Sequence, residues 1–409
     1  MSYVSHLEMR FSGARQPADR PASNTATDGD LLEVRYDIDR VRRSVPRDTI
    51  AMGPSTLWRY AAMLPATKPD DAVTLGEGWT PLLRVPALGR SLGLTSLYIK
   101  DEGRNPSGTF KDRGASVAAT CLRELGVSHM IHNSSGNAAG SWAMYAARGG
   151  LYCINIVPED VLTSSVQQST LAGADTYVLQ AGWHTSGGIV REAAAANGWF
   201  NIGTLREPYR LEGKKTMGYE ICEQLGWELP DVVVYPTGGA LGAIAIFKAF
   251  DELVALGWVQ ADRKPRLIVT QYEGCAPIVE AYRAGEDRAK TWSNITSLPG
   301  GLKSAAPLGD RAVLKIVRES GGTAITVSNE EALDGVARIT KAEGIFPCPE
   351  SATTLVGLEK AVAAGQVRRD ERIVLVSTGS GLKSTAVLPG ADRMHPIRAA
   401  GDIRGSRNS

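Results

Sequence analysis

Cysteine and histidine are scarce in this chain. The five cysteines, Cys121, Cys153, Cys222, Cys275 and Cys348, stand apart and never form a CxxC pair. That excludes a zinc ribbon and a disulfide framework, and it fits reduced, buried thiols in a cytoplasmic protein. The five histidines make no HExxH and no His/Cys cluster, so no catalytic metal is expected. No run of about 18 apolar residues exists to span a membrane, and the N-terminus lacks the apolar core of a signal peptide. A surplus of one charge is missing too: 45 Lys and Arg stand against 44 Asp and Glu, a net charge of +1. A dedicated nucleic-acid binder or a polybasic membrane anchor needs a basic excess, so neither is expected.

What is present is an ordinary globular composition. Hydrophobic residues make up 43% and charged residues 22% of 409, which excludes wholesale disorder. The length suits two or three domains, or one large two-lobed unit. The first 30 or so residues, rich in Pro, Ala, Asp and Ser, read as irregular. A short strand is expected at 31–36, and residues 1–74 read as a partly disordered N-terminal extension. Residues 389–409 read as a basic, disordered tail.

Between the ends, strand-like runs at 97–99, 130–132, 151–157, 176–179, 232–235, 267–271 and 373–376 alternate with helical patterns. Helices are expected at 112–125, 137–148, 211–225, 241–256 and 329–342. In the first of these, Val117, Cys121, Leu122 and Leu125 fall on one stripe. Alternation of this kind indicates an α/β fold with a parallel sheet. Ligands of such sheets sit at the carboxyl ends of the strands, and four segments there carry chemistry.

The first is NPSGTFKDRG, residues 105–114, which leaves Lys111 near a helix start. Desolvation beside a positive helix end lowers a lysine pKa, and a neutral amine can form a Schiff base; a surface lysine is the bland alternative. The second is SSGNA, where Ser134, Ser135, Gly136, Asn137 and Ala138 open a helix and suit a carboxylate or phosphate, or simply cap the helix. The third is PTGGALG, in which Gly238, Gly239, Ala240, Leu241 and Gly242 can turn N–H groups around a phosphate. The fourth is STGSGLK at 377–383, which puts Ser377 and Thr378 at a strand end. A hydroxyl there can bond a heterocycle nitrogen or cap the turn. Together they are the parts needed to hold pyridoxal 5′-phosphate.

The lysine motif resembles that of fold-type-II pyridoxal-phosphate enzymes. More narrowly, LGEGWTPLL, NPSGTFKDRG, SSGNAAGSWAMYAARGG, EPYRLEGKKTMGYEICEQLGW, PTGGALG and STGSGLK, in that order over about 31–383, resemble the threonine synthase family. The resemblance implies a tryptophan synthase β-like fold of two α/β lobes with the cofactor in the cleft. The large lobe would comprise 75–112 and 206–388, and the small mobile lobe 113–205. It implies that Lys111 holds the cofactor as an internal aldimine and then serves as base and acid. Phe110 would pack beside the cofactor, Asn137 would bond its 3′-oxygen, residues 238–242 would wrap its phosphate, and Thr378 would face its ring nitrogen. Ser134, Ser135, Gly136 and Ala138 would take the substrate carboxylate. Arg210 would bind the substrate phosphate, with Lys215 and Arg206 as further cations.

The implied reaction converts O-phospho-L-homoserine and water to L-threonine and phosphate, in a cytoplasmic homodimer. Two departures bear on the substrate. Ala138 stands where some members have a hydroxyl, and Thr204, Leu205, Arg206 and Glu207 stand where some have Asn and Ser. A dehydratase-type lyase, or replacement chemistry on another activated amino acid, is the alternative, because a fold does not determine a reaction. No function is legible in 285–307.

Overall fold

Five parallel strands, with one antiparallel strand at an edge, make the larger sheet of the computed structural model, which describes residues 2–390. Across the sheet the order is Thr323–Val327, Arg266–Tyr272, Val232–Pro236, Arg372–Ser377, Ser96–Asp101 and Leu82–Arg84. The last of these pairs antiparallel. Val232–Pro236 lies in the interior of the sheet and is buried along its whole length. A strand covered on both faces reads as an unbroken apolar run, as VVVY does here.

A second sheet, wholly parallel, runs Asp175–Leu179, Tyr152–Pro158, His129–Asn133 and Phe200–Asn201. All seven expected strands of the α/β core are there; the one expected at 151–157 runs one residue later, and the others are one to three residues longer. The five expected helices are Lys111–Glu124, Asn137–Gly149, Tyr209–Gln224, Leu241–Ala255 and Asn329–Glu343. Helices such as Thr163–Leu171, Ser186–Asn197, Asp310–Glu319 and Pro349–Ala363 join them, as do the edge strands Thr323–Val327 and Phe200–Asn201.

The N-terminal segment departs from expectation. Val4–Met9 pairs antiparallel with Arg15–Gln16 and with Leu32–Tyr36 in a three-stranded sheet. Asp30 anchors the intervening chain by accepting from the N–H groups of Phe11, Ser12 and Leu31 at 2.8, 3.0 and 2.9 Å. Its polar residues thus bond the arm to itself and to the core. Of the tail expected at 389–409, residues from 391 onward lie outside those described.

Three elements bring the lysine to its place. Arg113 pairs with Glu102 at 2.6 Å and with Glu220 at 2.5 Å, and Lys100 pairs with Glu220 at 2.6 Å, all fully buried. This cluster ties strand Ser96–Asp101 to helices Lys111–Glu124 and Tyr209–Gln224. Paired on all sides, buried charges of this kind fix relative position more than they add stability. The two helices meet at Gly213, where a Cβ would stand 1.9 Å from the Arg113 carbonyl oxygen.

Candidate active site

A cavity of about 550 Å³ opens at the carboxyl ends of both sheets. Lys111 reaches it from the first residue of its helix. The turn before it is pinned by Asp112, whose carboxylate accepts from Ser107 N–H, Ser107 Oγ and Ser141 Oγ, each at 2.6 Å. Burial pushes the Asp112 carboxyl up to about 6, against those hydrogen bonds. Burial, and then the Arg210 charge, bring Lys111 down to about 8, with Glu350 opposing. Its Nζ lies 4.5 Å from the centroid of the Phe110 ring. The residue is therefore a poised amine rather than a surface lysine.

Asn137 and the 134–138 loop line one wall. Ser134 Oγ accepts from the N–H groups of Gly136 and Ala139, both at 3.1 Å, and so does the capping that Asn137 could have done. Asn137 is left facing the cavity, its Oδ1 accepting only a 3.4 Å bond from Ser165 Oγ. Ser135 and Ala138 also line it; Gly136 sits behind them, at φ 131°, with Ser165 and Val161 about 3.1 Å from where a Cβ would be.

Opposite them is the turn into helix Leu241–Ala255. Gly238, Gly239, Ala240, Leu241 and Gly242 all line the cavity, and none of their five N–H groups finds an acceptor among the described residues. Ala240 holds the left-handed region at φ 67°, which turns the N–H groups inward. At Gly238 a Cβ would stand 2.4 Å from the Gly301 oxygen, so no other side chain fits. A row of five unsatisfied donors at a helix N-terminus is suited to cradle a phosphate. Thr378 closes the floor, its Oγ1 3.4 Å from Ser351 Oγ. The Tyr235 hydroxyl, buried beside Gly242, has no hydrogen-bond partner among the described residues. Lysine, phosphate cradle, Asn137 and Thr378 thus surround one space, and these donors fit pyridoxal phosphate.

Two expected cations are not brought to that space. Lys215 is fully buried behind it, paired with Glu212 at 2.7 Å and Glu252 at 2.9 Å. On a helix, one residue turns the side chain by about 100°, and Lys214 takes the cavity side instead. Arg210 lies behind the wall. It pairs with Glu207 at 3.1 Å, donates to Thr204 Oγ1 at 3.3 Å and to the Ile202 oxygen, and so braces the 202–207 loop. Arg206 does line the cavity.

Lys214 is the residue that sequence reasoning missed. Its Nζ lies 4.2 Å from the Phe110 ring centroid and has neither a hydrogen bond nor an ion pair among the described residues. Burial, then the neighbouring Lys111 and Arg210 charges, hold it well below the usual lysine range. Also missed were Glu350, whose Oε1 accepts from Gly301 N–H at 2.7 Å, and the irregular 301–308 segment, which lines the cavity. Lys303 in that segment pairs with Asp160 at 2.5 Å across the mouth. No hydrophobic period marks such a loop.

Comparison with known proteins follows the same lines. A family described as pyridoxal-phosphate dependent enzyme matches residues 73–379. Threonine synthase of Methanocaldococcus jannaschii is 36% identical over 356 residues, 87% of each chain. That of Methanosarcina acetivorans is 33% identical over 379 residues, 92% of each. Among solved structures, the processed form of threonine deaminase isoform 2 from Solanum lycopersicum superposes with a TM-score of 0.64 at 19% identity. It covers 82% of this chain and 94% of its own, which shows the fold. With the lysine, the phosphate cradle and these relatives in hand, the chain belongs to the pyridoxal-phosphate dependent enzymes, and within them to the threonine synthase family.

Proposed function

We propose that this enzyme converts O-phospho-L-homoserine and water to L-threonine and phosphate. The observation that carries the reading is Lys214, a buried amine facing the cavity with neither hydrogen bond nor ion pair among the described residues. A cation in that position is costly unless a ligand brings negative charge, and a substrate phosphate does so. Arg206 faces the same space. A lyase acting on serine or threonine would leave Lys214 unpaired, which favours the phosphorylated substrate.

Bound pyridoxal phosphate supplies an electron sink conjugated to the substrate Cα. The residues of this chain do the rest. Lys111, poised near neutrality, moves protons at Cα, Cβ and Cγ. Ser135 and the N–H groups of Ser135, Asn137 and Ala138 orient the substrate carboxylate, and the Asn137 side chain and Thr378 orient the ring. Lys214 and Arg206 hold the leaving phosphate. Residues 113–205 act as a small lobe that closes on the larger one, formed by 75–112 and 206–388, and excludes stray water; Lys303 and Asp160 meet across the gap.

The enzyme works as a cytoplasmic homodimer. Its five free, buried cysteines support a reducing compartment, and no described helix is long and apolar enough to cross a membrane.

The test is incubation of the cofactor-loaded protein with O-phospho-L-homoserine, following phosphate and threonine together. Equal amounts are expected. Absence of phosphate release would move the search to other activated amino acids.

A further inference from the structure

We infer that Asn24, in the N-terminal arm, is a positioning residue that holds loop 204–206 so that Arg206 faces the substrate. The inference rests on the reading of Arg206 as a phosphate ligand and deepens it. Asn24 is only 4% exposed, and every polar group it carries is used. Its N–H donates to the Arg206 oxygen at 2.7 Å. Its Nδ2 donates to the Leu205 oxygen at 3.2 Å and to the Asp30 oxygen at 3.0 Å. Its own carbonyl accepts from Arg206 Nη1 at 3.3 Å. Its Oδ1 accepts from the N–H of Ala26 at 3.0 Å, which fixes the amide's orientation.

The loop needs such a hold. Leu205 sits at φ 60°, a left-handed conformation that a branched side chain rarely adopts and that surrounding structure must impose. The two carbonyls that define this geometry, those of Leu205 and Arg206, both receive their hydrogen bonds from Asn24. Relaxation of Leu205 to negative φ would turn the next peptide and carry the Arg206 side chain away from the cavity. The arm itself is a firm base, because Asp30 accepts from Phe11, Ser12 and Leu31 N–H groups within a paired sheet. Residues outside the family match at 73–379 thus complete the substrate wall.

The experiment uses the full-length, cofactor-loaded enzyme with Asn24→Ala and Asn24→Asp. The aspartate keeps the shape but cannot donate to Leu205. Two readouts are taken. Amide hydrogen exchange is expected to quicken at least tenfold in 203–206 in both variants and to stay unchanged elsewhere. The KM for O-phospho-L-homoserine is expected to rise about tenfold, with kcat within twofold and the bound-cofactor absorbance intact. In an Arg206→Ala background, Asn24→Ala should raise KM no further. Unchanged exchange in 203–206, uniformly faster exchange with a fall in Tm, or KM effects that multiply with Arg206→Ala would each overturn the inference. If the wild-type enzyme releases no phosphate, the substrate reading fails by itself. The exchange result then decides alone: local quickening sustains the clamp, and none overturns it.

Discussion

The amine nitrogens of Lys111 and Lys214 rest against the same phenyl ring, that of Phe110, at 4.5 and 4.2 Å from its centroid. Two buried amines so close together do not both carry charge cheaply, and the Lys111 charge lowers the proton affinity of Lys214. Lys214 is depressed well below the usual range, with the Lys111 charge the largest cause after burial. Binding of a dianion relieves that repulsion, so substrate charge and catalytic amine are electrically linked.

A pH dependence follows for cofactor capture. Only the neutral Lys111 amine attacks an aldehyde, and Lys111 is brought down to about 8. Below that value the neutral fraction falls about tenfold per pH unit; above it the fraction is saturated. Cofactor-stripped protein mixed with pyridoxal phosphate should therefore recover its absorbance at a rate that climbs to about pH 8 and then levels. A rate still climbing near pH 10 would assign Lys111 the titration of an ordinary lysine.

The adjacent lysines should separate cleanly. Lys214→Met removes a charge-assisted contact worth about 1.5–3 kcal/mol, or roughly 10–100-fold in KM for the phosphorylated substrate, with the cofactor retained. Lys215→Met leaves Glu212 and Glu252 to share Lys248 alone. Breaking such a buried cluster costs about 3–5 kcal/mol. Urea unfolding beside steady-state kinetics gives both numbers. A Lys215→Met protein of wild-type stability with a raised KM would reverse the two assignments.

Asp112 is expected to matter for the shape of the turn rather than for proton transfer. Asp112→Ala strands the Ser107 N–H and the Ser107 and Ser141 hydroxyls, at about 1–3 kcal/mol per buried donor that stays unpaired. Cofactor occupancy should fall together with stability, and Asp112→Asn, which keeps one acceptor oxygen, should lie between. Sign matters for pH as well. The folded carboxyl is raised to about 6 from 3.8, so this residue's contribution to stability declines as pH rises from about 4 to 6.

The cradle can be filled from within. A Gly238→Ala Cβ would meet the Gly301 oxygen at 2.4 Å, so the turn or the 301–308 segment must shift. Cofactor affinity, titrated by absorbance, should drop at least tenfold, since several N–H contacts move at once. An unaltered affinity would show that the phosphate binds elsewhere.

The cofactor half of the site was legible because each part is local. NPSGTFKDRG, PTGGALG and STGSGLK each sit on a strand-to-helix turn, and those turns formed where VVVY and its neighbours ended. The substrate half was less legible, because it depends on which way a side chain turns. Lys214 and Lys215 are equivalent as letters, and only the packing of helix Tyr209–Gln224 on its neighbours sends one to the cavity and the other to Glu212. Arg210 matched a family arginine yet braces the loop from behind. The N-terminal sheet was hidden for a further reason. Asn24 and Asp30 look like solvent-facing polar residues, but Asn24 finds Leu205 across the fold and Asp30 bonds the arm to itself through Phe11 and Ser12.

The bond between Asn24 and Leu205 spans 181 residues. At ribosomal speeds of 5–20 residues per second, Asn24 waits roughly 10–40 s for its partner to be made. During that interval the arm's backbone groups have water for company, and the loop closure that ends the wait is entropically expensive. The substrate wall therefore matures only once the chain has grown past residue 205, and the phosphate cradle's own helix, Leu241–Ala255, is made later still.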